Sequence, residues 1–583
     1  MKFSGKFYAY LVTGVLFVMV FLPLLAVILN AILPGLFFGE LDFNSFTILF
    51  EVFERQLWLV SLKNSLILGI GGAFLGVLVG FILAYFRARW SFLLGKWLDL
   101  SAWILLIIPS FMIAQGWLLF ANRTGMASSV FGWEWVTDFI FQPVGLIFIM
   151  GMTKFPLAYL TIVAAMEWNV SQLDNAAKLN GAKPFTVLRT IQLPLAMPSV
   201  VAGWTLVFID IIGDFGLPAA LSTLYRFPTL PYSIYTAINQ SPVRFDMAGV
   251  LSFYLVLILV FAMLILFIAT KKSKVDFLGS TASRTVRVEP KNAWLVNLIT
   301  LVLLLICLGI PVFTSVSVSF MDSLSRGLVF DNLTFDNYRT LFAGGDNRYA
   351  AISSVFEGLK NSISLAIIAA LISMILAFTV TFVLVFTESK MKGPLQVFTV
   401  ISLAVPGVVL GIGYIFIWNQ RWLEPLGLNL YGTPTLLVIA AVAGAIPYAV
   451  RIQLGAVSNV SPVLLQAASV QGASVLMRMS TILLPIVRNT LLIATLASFG
   501  SSVFDLAIAS MLQPPNYTLL PIVIDRAFEV GDYGYATAAS VLGAAVVVLI
   551  IIAVQIINSI LSRLMENNKK RKIMLYESNI NRG

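Results

Sequence analysis

Twelve stretches of this chain are almost purely apolar and about twenty residues long or longer, and no other feature constrains its fold as strongly. They fall at roughly 8–33, 64–86, 99–120, 140–165, 196–220, 246–270, 294–319, 361–386, 395–418, 433–457, 487–511 and 535–561. Twenty helical residues rise about 30 Å, the thickness of a bilayer's hydrocarbon core. The 583 residues are 59% hydrophobic and 11% charged, against about 25% charged in soluble domains. The expected fold is therefore all-α and integral to a membrane, with about twelve transmembrane helices. The first run follows Lys2 and Lys6, as a signal peptide's apolar segment would. It is longer than such a segment and no clear small-x-small cleavage site follows, so it reads as a retained helix.

Charge gives the orientation. A net charge of +10 could suggest nucleic acid, but the basic residues fall in alternate loops, which is a topology signal. One side collects Lys2, Lys6, Arg87, Arg89, Lys96, Lys178, Lys183 and Arg189 in the first half. It continues through Lys271–Lys291, Lys390, Lys392, Arg478, Arg488 and the basic tail from Arg563. That side is expected to be cytoplasmic, with both termini on it and an even number of spans. No nucleic-acid partner is implied. Histidine is absent, which removes the commonest proton relay, metal ligand and general base. The single cysteine, Cys307, lies in an apolar run and allows no intrachain disulfide.

The sequence repeats. "LKNS" occurs at Leu62–Ser65 and Leu359–Ser362, "LDFNSF" at 41–46 resembles "LTFDNY" at 333–338, and Pro109 matches Pro406. Two polar stretches inside the apolar framework also match. "NAAKLNGAKPFTVLRTIQLP" ends at Pro194 and "QAASVQGASVLMRMSTILLP" at Pro485, 291 positions later. Each half holds six spans and starts on the same side, so the repeats are parallel, related by an axis along the membrane normal. The organisation reads as a first unit, 1–270, a polar linker, 271–293, a second unit, 294–562, and a basic cytoplasmic tail, 563–583.

The matched polar stretches (171–195 and 462–486) read as a short helix, a turn and a return into the membrane. Ala176 and Ala177, like Ala467 and Ala468, favour helix and present little bulk. Gly181 and Gly472 can end that helix with φ > 0. Pro194 and Pro485 stand where the next span is expected to begin. One such connector would be unremarkable; two with the same internal spacing imply a shared task.

These residues resemble the coupling loop of binding-protein-dependent ABC importer permeases of the maltose and molybdate type, with consensus Glu-Ala-Ala-x3-Gly-x9-Ile-x-Leu-Pro. The matches are Ala176, Ala177, Gly181, Ile191, Leu193 and Pro194, then Ala467, Ala468, Gly472, Ile482, Leu484 and Pro485. Asn175 and Gln466 occupy the glutamate positions, so any charged contact of that glutamate is missing here. The resemblance implies two tandem six-helix type I permease units. It implies a bacterial inner-membrane protein, with each loop docked in a groove of a separate cytoplasmic ATPase, two copies in all. ATP and Mg would be bound by that partner and no cofactor by this chain. Consistent with this, no G-x-x-x-x-G-K-[ST] motif occurs; "LLGKW" at Leu93–Trp97 has Trp97 where Ser or Thr is needed. An extracytoplasmic solute-binding protein would dock on the outer loops, around 34–60, 221–245, 321–358 and 512–534. No residue takes a catalytic or metal-binding role.

Acids inside spans are costly and face a cavity or a partner. Asp210 and Asp214 are four apart in the fifth run, and Asp505 aligns with Asp214 at the repeat offset. They read either as capped, hydrogen-bonded acids at the "GDFGLP" break or as lining of the translocation path. "GDFG" and the fused two-unit chain resemble ferric-iron permeases. Thiamine, phosphonate and pyridoxal-phosphate importers also use fused units. An acid-lined path suits a cation, which favours ferric iron. An ion-coupled secondary transporter would share repeats and midmembrane acids but would not need two matched docking loops. A membrane enzyme is disfavoured, because neither H-E-x-x-H nor G-x-S-x-G occurs.

Overall fold

The computed structural model describes residues 5–38, 46–169, 176–177, 179–225, 227–272, 287–343 and 355–580. Ten helices in it are long and apolar enough to cross a membrane: Gly5–Ile32, Gln56–Arg89, Pro143–Met166, Phe185–Gly213, Phe245–Ala269, Ala293–Ser319, Val355–Phe386, Pro434–Val457, Val475–Val503 and Tyr533–Ile560. Two bent pairs bring the count to twelve. Gly95–Ile107 and Ser110–Ser129 meet at 103°, and Lys392–Ser402 and Gly407–Trp418 at 114°. The molecule is thus an all-α membrane protein, and the twelve are numbered here as spans in chain order.

The third and ninth spans, each expected as one apolar run at 99–120 and 395–418, are broken. Pro109 and Pro406 cause the breaks. A proline disfavours helical backbone at the residue before it, and Ile108 (ψ 127°) and Val405 (ψ 116°) are extended. The fifth and eleventh spans were expected later in the chain, at 196–220 and 487–511. They begin earlier, at Phe185 and Val475, and end at Gly213 and Val503. Short helices, Gly216–Tyr225 and Leu506–Leu512, follow.

Pro194 and Pro485 therefore do not open their spans; they lie well inside. The backbone accommodates them by widening first. A π-type turn at Leu188–Gln192 precedes Pro194, and another at Arg478–Leu483 precedes Pro485. Pro23 and Pro311 follow wide turns at Phe17–Phe21 and Leu305–Gly309 in the same way. A wide turn shifts the hydrogen-bond ladder just where proline supplies no N–H.

The halves clasp each other through their first helices. Leu22–Ile32 of the first span packs on Gly407–Trp418, and Ile310–Ser319 of the seventh packs on Ser110–Ala121. The backbones nearly touch: a Cβ at Gly413 would lie 2.4 Å from the Pro23 carbonyl oxygen, and one at Gly116 would lie 2.4 Å from that of Pro311. Small residues allow such approach in membranes, where close packing replaces the hydrophobic effect as the driving force. Tyr414 adds a hydrogen bond from Oη to the Met19 carbonyl at 2.5 Å.

The repeated "LKNS" motif has a shared structural task. Ser65 Oγ accepts the Leu230 N–H and Ser362 Oγ the Leu520 N–H, at 2.7 and 3.0 Å. Asn64 Nδ2 donates to the Pro228 carbonyl and Asn361 Nδ2 to that of Thr518, both at 3.0 Å. Each motif thereby fixes the start of a short amphipathic helix, Leu230–Asn239 or Leu520–Glu529. These helices lie at the membrane face opposite the two matched loops, called the far face below.

Candidate functional site

The matched loops lie six crossings apart in the chain and so on one face. Asn175 and Lys178 lie outside the described residues. Ala176 and Ala177 are helical, and Gln466, Ala467 and Ala468 belong to the helix Pro462–Val470. Both helices end in the same way. Gly181 has φ +79° and Gly472 φ +84°. The Ala182 N–H donates to the Ala177 carbonyl, and the Ala473 N–H to that of Ala468, each at 3.0 Å. This is a left-handed glycine C-cap, made twice. Nothing lies within 4 Å of a Cβ built on either glycine, so the conformation, not crowding, requires glycine there.

Beside each cap two apolar side chains stand in the open at equivalent positions. Leu179 and Val470 are each 89% exposed, Phe185 is 71% and Leu476 62% exposed. The sequence reading of the loops rested on alanines and glycines and passed over these four. Their signal was available: a large apolar residue at the same offset in two otherwise polar stretches. Ile191 and Ile482 are half-buried on the return helices. Each loop thus presents a rigid helix end with an apolar tip, suited to insertion into a groove.

The second part of the site is a cavity of about 210 Å³ between the halves. Asp210, Asp214 and Asp505 all line it, together with Pro406, Tyr448 and Arg451. Two of these acids, Asp214 and Asp505, are also helix caps. Asp214 Oδ1 accepts the Leu217 N–H at 3.0 Å and Asp505 Oδ1 the Ile508 N–H at 3.0 Å. Each acid therefore starts the short helix after its break, as aspartate does well, while facing the cavity.

The first half adds a lysine that sequence reasoning missed. Lys154 Nζ lies 2.7 Å from Asp210 Oδ2 and 2.8 Å from Asp214 Oδ2. Ser110 Oγ, just beyond the break at Pro109, donates to Asp214 Oδ1 at 2.8 Å. Four elements of the first half meet at this network. In the second half, Gly407 stands at the Ser110 position and Ala445 at the Lys154 position. There Asp505 and Arg451 make no salt bridge among the described residues. Three carboxylates face two cations, and the unpaired charges that remain, Asp505 and Arg451, both come from the second half. The expected acid-lined passage is thus largely neutralised on one side.

Comparison with known proteins agrees with this architecture. The family described as "Binding-protein-dependent transport system inner membrane component" matches twice, at residues 76–274 and 385–567. The ferric transport system permease protein FbpB of Actinobacillus pleuropneumoniae is 23% identical over 446 residues, 74% of this chain and 61% of that protein. The probable ABC transporter permease protein y4fN of Sinorhizobium fredii is 26% identical over 380 residues, 64% of each chain. The chain thus spans less than two thirds of either relative's length. The molybdenum transport system permease protein ModB of Escherichia coli is 29% identical over 194 residues, 32% of this chain but 81% of its own. A one-unit permease thus corresponds to a single repeat here, and with the family matched in both halves this chain belongs to the inner-membrane components of binding-protein-dependent transport systems, with two permease units in one polypeptide.

Proposed function

We propose that the chain is the permease of an ABC importer and passes ferric iron handed over by an extracytoplasmic binding protein. The observation that carries the importer reading is the pair of matched loops, each with a glycine-capped helix end and an apolar tip at the same offsets. A dimeric ATPase has two equivalent grooves, and two equivalent plugs on one face fit it. The basic residues of that face make it the cytoplasmic side, so the far face meets the binding protein.

The mechanism follows from how the parts are joined. Closure of the ATPase on ATP draws the two loops together. The return helices run unbroken from the loops to Gly213 and Val503, so the movement reaches the breaks at Asp214 and Asp505. The halves rock about their clasps, access to the cavity changes side, and hydrolysis resets the cycle. Lys154 holds its helices at the break; Asp505 and Arg451 are the charges free to meet the solute. The iron assignment rests on the names of similar proteins and on the cavity's carboxylates. Among the described residues no group of three or more His, Cys, Asp or Glu is placed to hold a metal ion, which suits passage rather than retention.

Reconstitution with the ATPase and binding protein tests both levels. Two ATPase copies per chain and ferric uptake that needs ATP are expected. Uptake driven by an ion gradient without ATP overturns the importer reading. ATP-driven uptake that another solute, but not ferric iron, competes away overturns the iron assignment alone.

A further inference from the structure

A second cavity has no place in the transport cycle described so far. It is a crevice of about 190 Å³ beside the break at Pro109, walled by Pro311, Val312 and Val316 of the seventh span, Ala544 and Val548 of the twelfth, and Phe504. Among the described residues that line it, the side-chain hydroxyls are those of Ser315 and Ser540, and Ser540 Oγ is turned back onto the Ala536 carbonyl at 2.9 Å. Such a site offers water almost no partners, and apolar cavities stay dry.

The crevice opens toward lipid. The seventh and twelfth spans are the least buried of the ten straight ones, at 22% and 17%, and Val312, Val316 and Val548 at the rim are exposed. Its lining residues sit three to eight positions before the far-face end of the seventh span at Ser319. They sit seven to fifteen positions after the far-face start of the twelfth at Tyr533. The crevice therefore lies in the leaflet nearer the far face.

The repeat supplies an internal comparison. At the equivalent place in the first half, Leu24, Val27 and Val256 are buried. Their counterparts are Val312, Ser315 and Ala544, and Val541 replaces Phe253. Every one of these four is smaller on the crevice side. Ile107 and Met112 on the facing wall are larger than Ala404 and Val409, yet the gap stays open. An apolar, dry gap at bilayer depth that is open at the rim has one available occupant.

We propose that this crevice is a binding site for a lipid acyl chain from the far-face leaflet, wedged between the seventh and twelfth spans and the break of the third. The chain would fill space that side chains fill in the other half, and so support the Pro109 break from outside while Asp214 and Ser110 hold it from inside.

The test is photolabelling of the complex of permease and ATPase in nanodiscs containing a phospholipid with a diazirine in its acyl chain. Labelled peptides are located by mass spectrometry. The segments 311–316 and 540–548 should label several-fold more than the equivalent 23–28 and 252–260. Ala544→Phe should reduce that labelling several-fold and leave the lipid-facing Phe261 and Leu264 unaffected. Where Ala544→Phe fails to assemble, Ser315→Val fills the same gap with a smaller change. Equal labelling of the two halves, or labelling unchanged in an assembled filling variant, overturns the proposal. Neither outcome bears on ATP-driven uptake, so the importer reading stands or falls separately.

Discussion

At the scale of single residues, the contrast between the halves is sharpest at the cavity. Lys154 bridges two carboxylates, whereas Asp505 is held by the backbone N–H groups of Ile508 and Ala507 and makes no salt bridge among the described residues. Removing one partner of a buried ion pair costs roughly 3–5 kcal/mol, because the other charge stays behind. Lys154→Met should therefore lower the yield and thermal midpoint of the complex, and adding Asp210→Asn and Asp214→Asn should recover much of the loss. No recovery in the triple variant would remove the ion network as the cause. Asp505→Asn should behave differently, since asparagine caps helices as well as aspartate. Assembly should be normal and uptake several-fold lower; normal uptake would release Asp505 from the path. The three acids were legible in the sequence because charge within an apolar run stands out. Lys154 obeys the same rule, but its partners lie 56 and 60 positions downstream and no linear spacing joins them. The informative question, which acid neutralises a lone intramembrane lysine, has an answer only once helices are packed.

At the scale of elements, the caps and anchors carry function. Gly472→Val would place a β-branched residue at φ +84° with free space around it, so the whole effect is backbone strain of about 1–2 kcal/mol. The variant should insert and fold, yet bind the ATPase weakly and transport poorly; normal coupling at normal expression would count against the docking role. At the far face, Leu520–Glu529 carries Asp525, whose carboxyl is pushed up to about 7 by burial and by the neighbouring Glu529. Between the ordinary carboxylate range and pH 7 the folded chain then binds more protons than the unfolded one. Stability from this group accordingly falls as pH rises through that window. Asp525→Asn should raise the thermal midpoint at pH 8 and leave it unchanged at pH 4. An equal gain at both values would show a packing effect instead. Neither far-face helix was legible in the sequence. Each is ten residues long, too short to stand out beside the apolar runs. The "LKNS" repeat that anchors them was visible, but its partners were not. The breaks at Pro109 and Pro406 were hidden for a related reason: hydropathy measures apolar length and is blind to a bend.

At the scale of the whole molecule, the question is which contacts between the halves move. The clasps at Gly116 and Gly413 bring backbone against backbone, and packed interfaces of that kind do not slide without rupture. The cavity interface is different, because side chains and open space meet there. Gly213, next to Asp214, faces Pro406 at the break of the ninth span, and a Cβ built on Gly213 lies 3.5 Å from Pro406 Cβ. Disulfides need Cβ atoms about 3.5–4.5 Å apart, so Gly213→Cys with Pro406→Cys should close a bridge across the cavity. The background suits the experiment, since the chain's one cysteine, Cys307, is buried. If the halves must separate at the cavity, the oxidised double variant should bind its ATPase yet stop transporting, and a reductant should restore uptake. The reduced form is the control for loss of the Pro406 bend, because a variant dead in both states says only that the bend is needed. A single Gly213→Cys should respond to neither treatment. Full uptake by a quantitatively cross-linked chain would place the moving interface elsewhere, and the cavity, for all its charges, would then be a fixed part of the fold.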